Sequence, residues 1–399
     1  MDLIQLSRQR VSLDEIEAEP ARFGTLFSRA RAETGHALCL CVPGGRKLQI
    51  RRRDGVFHVA VWPLDGEAHH AHCRFHKPPA DMTGRSAYTA GAIEERADGC
   101  LDIRSRVSLK VRTEDRNPST ERDAGGGGQS RASAGLLGVM HALWERTRLN
   151  QWQPHWVRNW TRCRWALRSI DGSINGQRMS EAVYVVPTYE EARRDAIEAE
   201  FERFRKRLTT AGLYRLRGMV LGEVRRLQES QYGFRIDLRN QRLPYFVSHQ
   251  LIARAQRSYR HVFAQLESPR ARVVVLLVIE VSKQGYLTIT DMAAMLTTRN
   301  YIPAESSYEL EMADALTAAS RAFIKPLRYD GHAEEFPDFR LTDTIPESVV
   351  EVFGMSGNAE YDRRKAEKQA RYRAKGTTVI EWETRGPLPD LTLKSPAAR

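Results

Sequence analysis

Residues 336–355 read FPDFRLTDTIPESVVEVFGM and set two acids among apolar neighbours. Asp338 follows a proline, and Glu351 lies inside VVEVFG, a run with the composition of a buried strand. Strand alternation places Val350 and Val352 on one face and Glu351 with Phe353 on the other. A carboxylate leaving a buried strand without a partner costs on the order of several kcal/mol, which binding a cation removes. Asp338, at the start of the preceding strand, can share that side. Two oxygen donors suit Mg²⁺, which takes one or two carboxylates together with water and phosphate.

The surrounding sequence gives these acids a frame. From Glu305 the chain reads as helix (ESSYELEMADALTAASRAFI), strand (PDFRL), strand (VVEVFG), helix (NAEYDRRKAEKQARYRAK) and strand (TTVIEW). Gly376 is placed to end the second helix in a left-handed conformation. In the first helix Glu309 is in phase with Met312, Leu316, Ala319 and Phe323, the face expected to meet the sheet. In the second, Tyr361, Lys365, Lys368 and Tyr372 form one stripe.

With Pro337-Asp338 on one strand and Glu351 on the next, residues 301–385 resemble the PD-(D/E)xK nuclease core of restriction-type endonucleases. The resemblance implies a restriction-endonuclease-like αβββαβ core and Mg²⁺-dependent cleavage of DNA. Glu309, Asp338 and Glu351 would then hold the ion, and a lysine would stabilise charge on the phosphate. The chain departs from the pattern at Phe353, where the family usually has that lysine. Some members supply it from the following helix. Lys368 is the preferred replacement here and Lys365 the alternative. A wider similarity, carried by CLC, HALWERTRLNQWQPHW, YIPAESSYE and EVFGMSGNAEYDRRK, is to an uncharacterised bacterial family found on integrative and conjugative elements and plasmids. It implies a mobile-element setting and no mechanism.

The rest of the chain reads as further units of a multidomain α+β protein. Residues 113–133 are polar, carry four consecutive glycines and read as a flexible linker. Before it, residues 1–112 hold short alternating runs such as GHALCLCV, RKLQIRRR and VFHVAVWPL, the mark of a small β-rich module. After it, residues 134–300 read as helical and then α/β. GLLGVMHALWERTRL and QWQPHWVRNWTRCRWALRSI have helical spacing, with tryptophans expected to pack a core. PTYEEARRDAIEAEFERFRKRL is a helix opened by a Thr188–Glu191 capping box, with Ile197, Phe201, Phe204 and Leu208 on its apolar face. Strands follow, and VVVLLVIEV, SKQG and YLTIT form a hairpin. Residues 386–399 are a tail.

In the N-terminal module, Cys39 and Cys41 point to one side of a strand, and HHAHCRFH follows at residues 69–76. Cys39, Cys41, His70 and Cys73 supply the four N/S ligands of a structural zinc site, which leaves no open position for water. Two buried cysteines beside a histidine-rich loop fit the same residues. The five cysteines do not suggest a disulfide framework.

The longest aliphatic run, VVVLLVI at residues 273–279, is far short of the roughly 20 residues that span a bilayer, and no export signal is visible, so a cytoplasmic location is expected. A net charge of +12 points to a polyanionic partner, DNA in the leading reading. The expected function is a Mg²⁺-dependent DNA endonuclease or DNA-processing protein. The alternative is a non-catalytic nucleic-acid-binding or scaffold protein with a degenerate nuclease core.

Overall fold

The computed structural model describes residues 3–53, 55–62, 65, 68–70, 73–75, 92–112, 133–208, 210–327, 337–354 and 359–392. Residues 113–132 of the expected linker, and the last seven residues of the expected tail, lie outside them. Helices and sheets are mixed throughout, and no helix among the described residues is long and apolar enough to cross a membrane.

The N-terminal module is an antiparallel sheet of β1 (Leu3–Leu6), β2 (Gln9–Ser12), β3 (His36–Cys39), β4 (Arg46–Arg53) and β5 (Val56–Val61), in the order β2-β1-β3-β4-β5. Helices α1 (Leu13–Ala18) and α2 (Gly24–Glu33) cover it and were not expected from the strand-like patches. Ser12 Oγ caps α1 by accepting from the Asp14 amide. Ile4, Leu6, Leu13, Ile16, Phe27 and Leu48 form the buried interior between sheet and helices.

Two small sheets pair strands from residues 93–112 with strands of the middle region. One joins β6 (Ile93–Glu95), β7 (Leu101–Ile103), β10 (Gly172–Ile174) and β11 (Gln177–Arg178); the other joins β8 (Lys110–Arg112), β13 (Thr210–Ala211) and β14 (Tyr214–Leu216). Helices α3 (Leu136–Arg146), α4 (Trp160–Arg168), α5 (Met179–Ala182) and α6 (Arg194–Arg207) lie between these strands in sequence. The tryptophan-rich stretch is less helical than its spacing predicts. Gln151–Trp152 is a short strand, β9, and the helix starts only at Trp160, after Asn159 caps it. Trp152, Trp156 and Trp160 are buried, as core packing requires, while Trp165 is only half-buried. The Thr188–Glu191 capping box does not form: α6 is preceded by a 3₁₀ turn at Glu191–Arg193, and Thr188 Oγ1 bonds Thr161 Oγ1 at 2.7 Å. The apolar face of α6 is as expected, with Ile197, Phe201, Phe204 and Leu208 buried.

The strands expected between 218 and 298 are present, and they close on themselves. These are β15 (Gly218–Ser230), β16 (Gly233–Leu238), β17 (Tyr245–Val247), β18 (Ala271–Val281) and β19 (Leu287–Thr298). They pair in the order β15-β16-β17-β19-β18, and β18 returns to β15. The first half of β15 pairs with β18, from Gly218↔Ile279 to Glu223↔Val274. Its second half pairs with β16, after a register shift between Val224 and Arg226. Such an irregularity bends a strand so that it serves two parts of a barrel. The result is a closed five-stranded barrel, the architecture class of OB folds. Two strands are added to it, β12 (Val183–Val185) beside β15 and β20 (Pro303–Ala304) beside β19. Helices α7 (His249–Ser258) and α8 (Arg260–Phe263) lie between β17 and β18, with Ile252, Ala255 and Val262 buried in the barrel's core cluster. The run 273–279 explains its own composition: Val274, Leu276 and Val278 feed the core beside α3, while Val273, Val275, Leu277 and Ile279 feed the barrel interior. A strand buried on both faces has no polar positions to alternate.

The C-terminal unit is α9 (Ser307–Ala318), β21 (Phe323–Ile324), β22 (Phe339–Leu341), β23 (Ser348–Phe353), α10 (Ala359–Ala374) and β24 (Val379–Glu383). Its sheet has the order β24-β23-β22-β21-β9, so the short strand β9 completes one edge. All pairs are antiparallel except β23–β24, which α10 connects as a parallel crossover. Met312, Leu316, Phe323, Phe339, Val350 and Trp382 pack beneath α9. Gly376 ends the α10 segment at φ +65°, and a Cβ there would meet nothing within 4 Å. Gly376→Ala is therefore expected to cost about 1 kcal/mol of conformational strain alone, read as a lower denaturation midpoint with unchanged slope.

Candidate functional site

Two groups of chemistry-bearing side chains stand out, one in the N-terminal module and one on the C-terminal sheet. The first is Cys39, Cys41, His69 and Cys73, whose ligand atoms all lie within 4.8 Å of one another. Cys39 closes β3 and Cys41 follows two residues later, while His69 and Cys73 come from the loop after β5. Cys39 Sγ is 3.4 Å from Cys73 Sγ, and His69 Nδ1 is 3.3 Å from Cys41 Sγ and 3.7 Å from Cys73 Sγ. A tetrahedron with Zn–S of about 2.3 Å and Zn–N of about 2.0 Å has edges of roughly 3.5–3.8 Å. The spacing and the S₃N donor set therefore fit zinc, and the cluster could hold it. All five cysteines are free thiols.

The histidine differs from the expected one. His70 is exposed and contributes its backbone amide, which donates to Cys41 Sγ at 3.5 Å, whereas His69 is buried and turns its ring inward. Zinc-type spacing alone favours His70, but the backbone at this point faces the adjacent residue toward the thiols. The Phe75 amide donates to Cys73 Sγ at 3.4 Å in the same manner. The Cys39 thiol, the His69 ring and the Phe75 amide hold the Cys73 pKa below the ordinary thiol value against burial. Cys39, which shares its proton with Cys73 and is buried, is raised. A thiolate supported by amide donors is the form that binds metal.

The second group lies where α9, β22, β23 and α10 meet. Glu351 is 3% exposed; its Oε2 is 2.7 Å from Lys368 Nζ, and its Oε1 accepts from Tyr372 Oη at 2.7 Å. Burial pushes its pKa up, Lys368 opposes this, and the charge of Asp338 adds to it. Asp338 is half-buried and its Oδ2 accepts from the Val352 amide at 2.7 Å, which ties the start of β22 to β23. Glu309 is buried on α9, with its Oε2 2.8 Å from Lys325 Nζ and accepting from the Glu305 amide at 2.9 Å. Ser306 Oγ accepts from the Glu309 amide at 3.1 Å, so Glu309 also serves the helix N-terminus in a capping-box manner. Burial pushes Glu309 up to about 7, Lys325 works against that shift, and Asp338 and Glu305 reinforce it. Burial alone would lower the Lys325 pKa, but Glu309, Glu305 and Asp338 outweigh it and hold the ammonium above its usual value.

The three acids thus share one electrostatic neighbourhood, with Asp338 acting on both glutamates. Their oxygens do not form a convergent trio: among the described residues the Cys/His cluster is the group of three or more such ligands drawn together. Glu309 is held by Lys325 and Glu351 by Lys368 and Tyr372, while Asp338 Oδ2 is taken by the Val352 amide. The lysine stripe on α10 divides. Lys368 reaches Glu351, whereas Lys365 Nζ pairs with Glu383 and lies 4.1 Å from the centre of the Phe353 ring. The side chain of Tyr361 lies outside the described residues. Lys325 was not singled out in the sequence; its signal there is only a lysine closing the apolar run AFIKP.

A family model described as "Protein of unknown function (DUF1173)" matches residues 10–384, and the chain belongs to that family. No curated protein and no solved structure matches it.

Proposed function

We propose that this family member is a metal-dependent phosphodiesterase acting on DNA, built on the αβββαβ unit of residues 301–385. The observation that carries the reading is Lys368 Nζ at 2.7 Å from Glu351 Oε2. A cation from α10 stands beside the strand carboxylate, which supports its replacing the lysine that the PD-(D/E)xK pattern has where this chain has Phe353. The element order supports it: α9, three antiparallel strands, α10 and a parallel fourth strand.

In this reading Asp338 and Glu351 would hold Mg²⁺, which would supply Lewis-acid polarisation of the scissile phosphate and a bound water of lowered pKa. Tyr372 and Lys368 fix the Glu351 carboxylate from two sides, so its direction is set before substrate arrives. The Val352 amide does the same for Asp338. Lys368, one-fifth exposed, is placed to turn from Glu351 toward a phosphate oxygen as negative charge develops there. Glu309 and Lys325 form a buried pair behind the strands and position β21 against α9. In the N-terminal module Cys39, Cys41, His69 and Cys73 would hold a structural zinc.

The test is cleavage of single-stranded, duplex and branched DNA with Mg²⁺ or Mn²⁺, comparing wild type with Asp338→Asn. A non-catalytic DNA-binding role is the outcome if no substrate is cut while DNA binding is intact. Binding itself is expected to fall steeply with salt, because a chain of net charge +12 acts through phosphates. Six phosphate contacts would lower affinity by roughly 10³-fold between 50 and 200 mM salt. An affinity that stays level over this range contradicts it.

A further inference from the structure

We propose that the face of the barrel carrying Phe246 and Tyr286, with Tyr232 at its rim, binds single-stranded nucleic acid by stacking bases on these rings. This goes beyond the catalytic reading and does not depend on it. Large aromatic side chains are seldom left in water, yet Tyr232 is 84% and Tyr286 57% exposed. Neither position is incidental to the barrel. Tyr232 lies in the turn between β15 and β16, and Tyr286 closes the turn between β18 and β19.

Strand register shows which residues join them. Arg235 on β16 pairs with Gln228 of β15 on one side and with Phe246 of β17 on the other, and Phe246 pairs with Thr288 of β19. These four residues form one row on the outside of the barrel, because Ile236, Tyr245 and Val247 point into its core. Tyr286 stands edge-on to Phe246, with ring centres 5.5 Å apart, so the row ends in an aromatic pair. Tyr232 is three residues along β16 from Arg235, on the order of 10 Å away. Phe246 and Tyr286 thus adjoin the polar and cationic row, and Tyr232 is exposed in the turn before β16.

The charges fit a phosphate backbone beside these rings. Arg226 pairs in register with Asp237 two residues along from the Gln228–Arg235 pair, but Asp237 Oδ1 is engaged by Arg235 Nε at 2.8 Å. Arg226 and Lys283, the latter in the same turn as Tyr286, are left exposed. Glu280 is neutralised by Arg215 at 3.0 Å and Arg217 at 3.4 Å. Flat aromatic faces beside unneutralised cations suit single strands, whose bases are free to stack, and do not suit a duplex, whose bases face inward.

The experiment is fluorescence anisotropy of the full chain with a labelled 20-nucleotide oligothymidylate and with a duplex of equal length, without added divalent metal. The single strand is expected to bind more tightly. Tyr286→Ala and Tyr232→Ala are each expected to weaken it by roughly 5- to 150-fold, the range for one stacked base, at wild-type melting temperature. Equal affinity for single strand and duplex, no binding of the oligothymidylate, or wild-type binding by both tyrosine variants would overturn the proposal.

Discussion

Cys73→Ser is expected to take the bound zinc from one per chain to none and to unfold the N-terminal module. Cys73 Sγ is the hub of its cluster, contacting Cys39 Sγ and His69 Nδ1 and accepting from the Phe75 amide. The same loop supplies the Cys73 carbonyl to Arg148, so the cluster fixes a link between the module and the segment after α3. Binding of a structural zinc is worth on the order of 10–16 kcal/mol in small domains, more than a five-stranded sheet with two short helices holds in reserve. His69→Ala should behave like Cys73→Ser, while His70→Ala, which keeps the amide donated to Cys41, should retain the metal. Elemental analysis of the purified chain with parallel thermal melts reads both effects. A metal-free wild type that melts normally, or metal loss in His70→Ala rather than His69→Ala, contradicts the assignment.

Lys368→Met is expected to lower metal-dependent cleavage by roughly 10²–10³-fold, the usual cost of removing one preorganised cation from a developing oxyanion. Lys365→Met should keep activity, because Lys365 is committed to Glu383 and to the face of Phe353. The two lysines lie nearly one helical turn apart but lead to different strand residues, which gives the pair of variants its power to discriminate. Lys368→Met also removes the partner of a buried carboxylate, so its melting temperature must be compared with that of wild type. Loss of activity with retained fold supports the role. Unchanged activity in Lys368→Met refutes it.

The sequence carried much of the C-terminal frame because its signals are local. The apolar phase of α9 through Leu316, the alternation in VVEVFG and the stop at Gly376 each rest on a few neighbouring residues and match the structure, whereas the helix ends at Ala318 and Phe323, read on the same helical face, lies on strand β21. What it did not carry depends on contacts across long separations. The choice of His69 over His70 turns on how the loop presents its side chains to thiols 28 residues away. Lys325 gains its place through Glu309 on the preceding helix, and nothing beside it in AFIKP announces that partner. Barrel closure rests on β15 pairing with β18 some 50 residues on, while each strand alone shows only alternation or an unbroken apolar run. The tryptophan-rich segment misled by period: Trp152, Trp156 and Trp160 recur every four residues, yet β9 and the turn after it bury the first two without a helix.

The central claim is that Asp338 and Glu351 form a working metal-dependent centre, and divalent-metal cleavage by the intact chain tests it most directly. Wild type is incubated with single-stranded, duplex and branched DNA in Mg²⁺ or Mn²⁺, beside Asp338→Asn and Glu351→Gln. Wild type is expected to cleave at least one substrate and both variants to lose cleavage, each still folded and binding DNA. No cleavage of any of the three by a wild type that binds them, or equal cleavage by wild type and Asp338→Asn, would contradict it.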